Sequence, residues 1–300
     1  MQFITFIVTY PFIWLLSLLP MRILYLISDF FFFILYYVVG YRKKVVYNNI
    51  QLAFPEKSDI EIKNITKKFF KHFTDLIFES IKSFTISKNE MQKRYVYKNI
   101  DVINTLAKQG RSIALMGSHH NNWELSFGLP LVANIACYGA YTKIQNKYFE
   151  KVIKSSRMRF GYDGVYTTIF TKTIQERVKN NIQSLYILLS DQSPQLRKTR
   201  HWATFLNNFV PVHTGAEILA KKYNFAVVNM TVTKLKRGFY EAEFELLTED
   251  PSQYNNFDLT ERYLQITEAH IQKQPEFYLW SHKRFKHKNK YSSWLKNHKK

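Results

Sequence analysis

Residues 117–124, GSHHNNWE, contain the side chains whose types and spacing best suit catalysis. A histidine such as His119 can act as a general base near neutral pH, and a carboxylate such as Glu124 can orient it by holding one ring nitrogen. On a continuous helix, residues five apart point roughly 140° away from one another. The two can meet only if His119 lies in a loop and Asn122 caps a helix whose first turn contains Glu124. The segment therefore predicts a His119–Glu124 dyad where a strand gives way to a helix.

Spacing alone leaves a structural interpretation open, in which Glu124 only favours the positive end of a helix and His119 is an ordinary loop histidine. A metal site is disfavoured, because the motif is not H-E-x-x-H and no other His or Cys cluster supplies ligands. The single cysteine, Cys137, lies in an apolar run, and the chain has no G-x-S-x-G motif. We therefore expect no covalent enzyme intermediate, and we predict neither a metal nor a cofactor.

Strand-like and helical patterns alternate around this segment. Strands are predicted at residues 112–118, 135–142, 185–190, 225–232 and 239–247, the last two as an antiparallel pair. A long helix is predicted from a capping box at Ser58 and Glu61 to about residue 87, and further helices at residues 123–132, 147–159, 173–179, 215–223 and 259–273. The alternation predicts an α/β fold, an αβα sandwich with a mixed sheet whose active site lies where strands end.

The first 41 residues are almost free of charge. Residues 1–19 and 23–41 form two apolar runs, each close to the roughly 20 residues that cross a bilayer. Pro11, Pro20 and Asp29 leave open whether both runs span or whether one is interfacial, and a pair of buried core helices is the alternative. No signal-peptide pattern is visible. We therefore predict hydrophobic membrane-binding helices, and the basic residues 42–44 place the remaining chain in the cytoplasm by the positive-inside rule.

The composition is strongly basic. The 300 residues include 43 Lys and Arg against 23 Asp and Glu, a formal net charge of +20, and 46% of them are hydrophobic, which excludes a disordered chain. This charge favours nucleic acid, an acidic membrane surface or an anionic substrate as partner. Residues 282–300 combine eight Lys and Arg with three aromatic residues, which suits an anionic lipid surface, and the last six residues are expected to be a solvated, disordered end. Nucleic-acid binding would leave the apolar N-terminus unexplained.

Several blocks, in order along the chain, resemble the late lipid A biosynthesis acyltransferases, a branch of the glycerolipid acyltransferase superfamily. The segment from His119 to Glu124 is similar to the H-x4-D/E motif of that superfamily. Further blocks resemble the family at residues 40–58, 146–161, 189–195, 202–222 and 279–286. The likeness covers most of the chain, and the ordered blocks are more specific than the His–Glu spacing.

The resemblance implies transfer of a fatty acyl chain from an acyl carrier protein thioester to a hydroxyl of a lipid A precursor, at the cytoplasmic face of the bacterial inner membrane. It implies His119 as general base, Glu124 as its orienting partner, and one of Arg157 and Arg159 in the polar site, held by Asp191. The segment DQSP replaces a more acidic, Gly-containing block of enterobacterial relatives, so a lysophospholipid or an amino-acid-based lipid stays open as acceptor, and a coenzyme A thioester as donor.

The simplest organisation is a membrane anchor at residues 1–44, an acyltransferase domain at residues 45–287 and a basic tail at residues 288–300.

Overall fold

The computed structural model describes residues 1–298. Its strands are β1 (Tyr95–Tyr97), β2 (Ile113–Gly117), β3 (Cys137–Tyr141), β4 (Tyr162–Tyr166), β5 (Leu185–Leu189), β6 (His201–Phe205), β7 (Asn208–Val212), β8 (Ala226–Lys236) and β9 (Phe239–Thr248). The α-helices are α1 (Gln2–Leu18), α2 (Met21–Phe33), α3 (Lys43–Ala53), α4 (Asp59–Lys82), α5 (Lys88–Arg94), α6 (Asp101–Lys108), α7 (Lys147–Met158), α8 (Phe170–Lys179), α9 (Gly215–Tyr223), α10 (Asp258–Lys273) and α11 (Tyr291–His298). Helix α2 continues as a π-helical stretch, Ile34–Val39, and Trp123–Leu131 is a 3-10 helix.

Seven strands form a mixed sheet in the order β1-β9-β8-β2-β5-β3-β4, and β6 and β7 form a separate hairpin. Only β8 and β9 pair antiparallel within the large sheet, so the carboxyl ends of β2 and β5 reach the same edge. Their register pairs Gly117 with Leu189, the last residue of each strand. Side chains that follow these two residues therefore meet above the centre of the sheet.

Alternate residues of the central strands enter two different cores, one on each face of the sheet. Ala114 and Met116 of β2 pack into the core that includes α3, α4, α9 and α10, whereas Ile113 and Leu115 pack into the core beneath α5 and α6. Both faces are covered because successive side chains of a strand point to opposite sides. The predicted αβα architecture with a mixed sheet is confirmed.

Most predicted elements are confirmed with boundaries shifted by a few residues. Helix α9 has its predicted limits, and the capping box of α4 is present, with Ser58 N–H donating to Glu61 Oε2 at 2.9 Å and Ser58 Oγ accepting from the Glu61 N–H. The antiparallel pair β8–β9 turns at Arg237 and Gly238. The helix predicted at residues 123–132 is instead the 3-10 helix, with Pro130 inside it.

Strand β4 is an element that no sequence pattern predicts, because its Asp163-Gly164 pair is typical of a turn. Cross-strand packing explains this glycine and Gly139 of β3. A Cβ at 139 would lie 1.5 Å from the Tyr162 hydroxyl oxygen, and a Cβ at 164 would lie 2.8 Å from the Tyr141 ring. Each tyrosine therefore covers a glycine of the neighbouring strand. Strand β1 and the β6–β7 hairpin are likewise not predicted.

Helices α1 and α2 leave a broad apolar surface exposed. Met21–Val39 is long and apolar enough to cross a bilayer by length and composition, and Gln2–Leu18 is a shorter apolar helix. Their exposed large side chains include Phe3, Ile7, Phe12, Trp14, Leu26, Phe30 and Phe33. A large exposed apolar surface of this kind marks a site of contact with another protein or with a membrane.

The opposite side of α2 is attached to the domain by polar side chains. Ser28 Oγ donates to Asp75 at 2.8 Å, and the Arg237 guanidinium binds both Asp75 and Asp29, at 2.6 and 2.7 Å. Asp75 is buried on α4, and Arg237 lies at the tip of the β8–β9 hairpin. One arginine thus connects the hairpin, α4 and α2.

The aromatic residues of the basic C-terminal segment pack against the domain, which its composition does not predict. Phe285 is buried in the main core, and Tyr291 and Trp294 of α11 contact Trp202, with ring centroids 5.3 and 5.9 Å apart. These aromatic rings stabilise the tail on the β6–β7 hairpin, which weakens the expectation that they contact lipid. Residues 295–298 belong to α11, so the expected disorder is wrong there, and residues 299 and 300 lie outside the described residues.

Arg237→Ala tests the attachment of α2. Removing the guanidinium leaves the buried Asp75 carboxylate without its strongest partner. The free energy of unfolding in detergent should therefore fall by about 3 kcal/mol. Arg262→Ala, which breaks an exposed pair with Glu245, is the matched control and should cost less than about 1 kcal/mol. Denaturant unfolding measures both, and equal small losses would show that the Arg237 network adds little to stability.

Candidate active site

The loop after β2 and the loop after β5 bring His119 and Asp191 into contact. Each residue lies two positions beyond the end of its strand, and the strand ends are register partners. His119 Nδ1 lies 2.8 Å from Asp191 Oδ1, so the ring N–H donates to the carboxylate. Asp191 is fully buried, and its other oxygen has no hydrogen-bond partner among the described residues.

Backbone contacts hold the His119 loop in place. Leu279 N–H donates to His119 O at 3.1 Å, and Asn121 N–H donates to Phe277 O at 2.9 Å. Asn121 has a φ of 57°, a left-handed conformation that asparagine tolerates better than most residues. The neighbouring His120 is buried and its Nε2 bonds Gln274 O, which makes it structural.

Glu124 lies in the predicted position but has a different partner from the predicted one. Asn122 Oδ1 accepts from the Leu125 N–H at 3.1 Å, so the predicted cap is confirmed and Glu124 is in the first turn. Its Oε2, however, accepts from Arg157 Nη2 at 2.5 Å. Asp191 occupies the Nδ1 side of His119. In place of a single His119–Glu124 dyad, the structure therefore has two neighbouring pairs, His119 with Asp191 and Arg157 with Glu124.

Arg157, in the last turn of α7, and Arg159, just after the helix, contact different parts of the molecule. Arg157 lines the same cleft as His119 and Glu124. Arg159 turns away and donates to the Ser83 and Ile86 carbonyls, the former at 2.9 Å, so it joins the end of α4 to the turn that follows. The expected pairing of Asp191 with an arginine is also not what the structure shows, because Asp191 binds His119.

His119, Glu124 and Arg157 line a cleft of about 600 Å³, and Asp191 lies buried behind His119. Its polar part includes His119, Glu124, Arg157, Gln192 and His213. Its apolar part is lined by Trp123, Phe127, Phe170, Ile187, Leu189 and Leu219. A few converging polar groups beside a hydrophobic wall are typical of a site for an amphiphilic ligand.

Comparison with known proteins gives the class of this site. The model of the family described as bacterial lipid A biosynthesis acyltransferase matches residues 1–287. The chain belongs to this family. A lipid A biosynthesis palmitoleoyltransferase of Escherichia coli (strain K12) is 22% identical over 253 residues, which cover 82% of this chain and 79% of that protein. A lipid A biosynthesis acyltransferase of Shigella flexneri gives the same identity and coverage. The protein is therefore an acyltransferase, as the ordered sequence blocks predict.

The electrostatics of the acyltransferase cleft make His119 a stronger base than an ordinary histidine and keep Asp191 ionised. Burial lowers the pKa of His119, but the charge and hydrogen bond of Asp191, with the charge of Glu124, outweigh it and raise the pKa above its ordinary value. Burial raises the pKa of Asp191, yet the charge and hydrogen bond of His119 bring it below its ordinary value. Burial also lowers the pKa of His213, and the charges of Arg284 and His119 lower it further.

These directions set the pH window in which the pair stabilises the fold. The Asp191 contribution is present above the pKa of an unfolded aspartate, about 4, and is lost as pH falls through its lower folded pKa. The His119 contribution is present below the pKa of an unfolded histidine, about 6.5, and is lost as pH rises through its higher folded pKa. The pair therefore stabilises the folded state most in mildly acidic solution.

Gln192 and His213 are polar residues of the cleft that were not singled out from the sequence. His213 follows β7, and Gln192 follows Asp191 in the loop after β5. Both lie inside blocks that resemble the family, at residues 189–195 and 202–222. The blocks point to these regions but do not identify single residues within them. The single cysteine is not in the cleft: burial raises the pKa of the Cys137 thiol to about 12, which opposes a nucleophilic role.

Asp191→Asn tests whether Asp191 sets the protonation of His119. Loss of the carboxylate charge should lower the pKa of His119, because burial then acts with less opposition from neighbouring anions. NMR titration of the histidine ring signals measures this shift. His270, whose Nε2 lies 2.9 Å from Val232 O and whose pKa is lowered chiefly by burial, is the internal control and should keep its pH dependence. An unchanged His119 titration would mean that Asp191 does not govern its proton.

Proposed function

We propose that this enzyme transfers a fatty acyl chain from an acyl carrier protein thioester to a hydroxyl of a lipid A precursor, with His119 as general base. The observation that carries the proposal is the hydrogen bond between His119 and the buried Asp191 beside the Glu124–Arg157 pair. His119, Glu124 and Arg157 line one cleft that also has an apolar wall. The names of the two relatives support lipid A as the acceptor class.

The proposed reaction needs one base and no covalent enzyme intermediate. Because Nδ1 of His119 donates to Asp191, Nε2 is the nitrogen that takes the hydroxyl proton as the acceptor oxygen attacks the thioester carbonyl. The tetrahedral intermediate then expels the carrier thiolate, which receives the proton from the imidazolium. An ester and a free thiol result. Asp191 keeps the ring in the required tautomer and stabilises the imidazolium that forms between the two steps.

Arg157 suits the stabilisation of negative charge in this reaction. Its guanidinium is about a quarter exposed and is held by Glu124, so it lies in the cleft without needing to reorganise. A fixed cation near the developing oxyanion, or near a phosphate of the acceptor, lowers the barrier or orients the substrate. We propose that Glu124 acts chiefly by holding Arg157, while its charge also helps to raise the pKa of His119.

The membrane surface is the proposed location of the reaction. Helix α7, which carries Arg157, packs against α1, where Phe6 and Phe149 have ring centroids 5.2 Å apart. Helix α1, with its exposed apolar side chains, thus lies against the helix that carries the cleft arginine. Because Ser28 and Asp29 are bonded to the domain, we propose that α2 lies in the cytoplasmic leaflet of the inner membrane and does not cross it.

The net charge supports an acidic donor. A formal charge of +20 would attract an acidic carrier protein and an anionic membrane surface alike. Association with such a carrier should therefore weaken as ionic strength rises, because salt screens charges that are separated by more than about 10 Å at 0.1 M.

His119→Ala is the central test of the proposed chemistry. Loss of a general base should lower transfer from an acyl carrier protein thioester by about two to four orders of magnitude. His201→Ala is the matched control, because it removes another carboxylate-paired histidine that lies outside the cleft. Turnover of purified enzyme with carrier-bound and coenzyme A-bound donors, in parallel, measures both the base and the donor preference.

Mass spectrometry of membrane lipids identifies the acceptor. Cells with the native enzyme should contain lipid A species with one more acyl chain than cells with His119→Ala. An additional chain on a phospholipid or an amino-acid lipid would reassign the acceptor, and near-normal turnover by His119→Ala would contradict the mechanism.

A double substitution of exposed residues tests the membrane surface without removing any helix. Leu26→Glu with Phe30→Glu places two charges on the exposed side of α2, so binding to vesicles that contain anionic lipid should be largely lost. Ile182→Glu with Leu246→Glu adds the same charge at exposed apolar positions outside α1 and α2 and should bind normally. Vesicle flotation distinguishes the two, and equal binding would argue against α2 as the contact.

A further inference from the structure

Glu79 is a buried carboxylate that the proposed chemistry does not use. It lies on α4, is 2% exposed, and receives three hydrogen bonds. Oε1 accepts from the Tyr25 hydroxyl at 2.8 Å, and Oε2 accepts from the Tyr240 hydroxyl at 2.8 Å and from Asn122 Nδ2 at 2.5 Å. The three donors belong to three different parts of the fold, namely α2, β9 and the loop that carries His119.

The bond to Asn122 connects Glu79 to the catalytic loop. Asn122 is fully buried and lies between His119 and Glu124 in the chain. Its other side-chain atom, Oδ1, caps the 3-10 helix by accepting from Leu125 N–H. Glu79 therefore determines the orientation of the Asn122 amide. The orientation of this amide in turn holds the segment between His119 and Glu124.

The bond to Tyr25 connects Glu79 to the membrane-contacting helix. The Tyr25 ring lies under the Arg237 guanidinium, 4.4 Å from its central carbon. Gly238, which has a φ of 75°, packs so closely that a Cβ there would lie 1.9 Å from the Tyr25 hydroxyl. This contact and the position of α2 on α4 hold the hydroxyl against Glu79.

We propose that Glu79 is a positioning residue, and that the chain Tyr25–Glu79–Asn122 makes the geometry of the catalytic loop depend on the attachment of α2 to the domain. The inference rests on the proposed function for its effect on turnover. Docking of α2 in the leaflet and organisation of the His119 loop are then coupled through one carboxylate. Loosening of α2 frees Tyr25, leaves Glu79 with fewer donors and relaxes Asn122.

Glu79→Gln and Tyr25→Phe test the coupling. A glutamine has one acceptor oxygen in place of two, so at least one of the three donors loses its acceptor and must reorient or stay unpaired. The expected result is a fall in kcat of about tenfold or more for Glu79→Gln and about fivefold for Tyr25→Phe, with the acceptor KM little changed. Tyr47→Phe is the matched control, because it removes a tyrosine hydroxyl bond to Asp59, away from the loop, and should leave kcat unchanged.

Hydrogen exchange provides a readout that does not require activity. Amides of residues 119–125 should exchange faster in Glu79→Gln and in Tyr25→Phe, while the sheet and the Tyr47→Phe protein exchange as in the native enzyme. The double variant should be no slower in turnover than Glu79→Gln alone, because both substitutions break one chain.

Unchanged loop exchange in both single variants overturns the inference, as do additive losses in the double variant or a uniform rise in exchange over the whole domain. If the native enzyme transfers no acyl chain, the proposed function fails while the exchange data still decide the coupling. If Glu79→Gln does not fold, Tyr25→Phe, which removes one peripheral hydroxyl, decides it alone.

Discussion

The hydrogen bond between His119 and Asp191 joins the ends of two central strands. It forms because Gly117 and Leu189 are register partners, and each strand continues for two residues before its functional side chain. Asp191 is fully buried and one of its oxygens has no partner among the described residues, so its charge is balanced mainly by the imidazole. A buried carboxylate of this kind is costly without a cation. The interaction that positions the proposed base therefore also stabilises the centre of the fold.

The N-terminal helices combine an apolar outer side with a polar inner side. Outward residues such as Leu26 and Phe30 are exposed, whereas Ser28 and Asp29 bind Asp75 and Arg237. A helix that crossed a bilayer independently of the domain would leave such groups without water or partners. The arrangement favours a helix that is part of the folded domain and presents its apolar side at the surface, so that the proposed membrane contact would be connected to the structure of the domain.

The predictable part of the fold depended on local signals. The capping box at Ser58, the apolar run of β2 and the antiparallel pairing of β8 with β9 were all predicted and are all present. Strand β4 was not, because its Asp-Gly pair is typical of a turn and becomes a strand only through the tyrosine rings of its neighbours. Likewise, the aromatic residues of the C-terminal tail are typical of a lipid contact, yet Tyr291 packs on Trp202.

By itself, the sequence determined the acyltransferase family, the order of most elements and the loop in which His119 lies, because motifs, caps and hydrophobic periodicity depend on residues that are close in the chain. Only the tertiary structure decided the partners. His119 binds Asp191, 72 residues away, and Glu124 binds Arg157, 33 residues away. Such pairings depend on strand order and register, which bring distant segments to one sheet edge, and no local spacing contains that information.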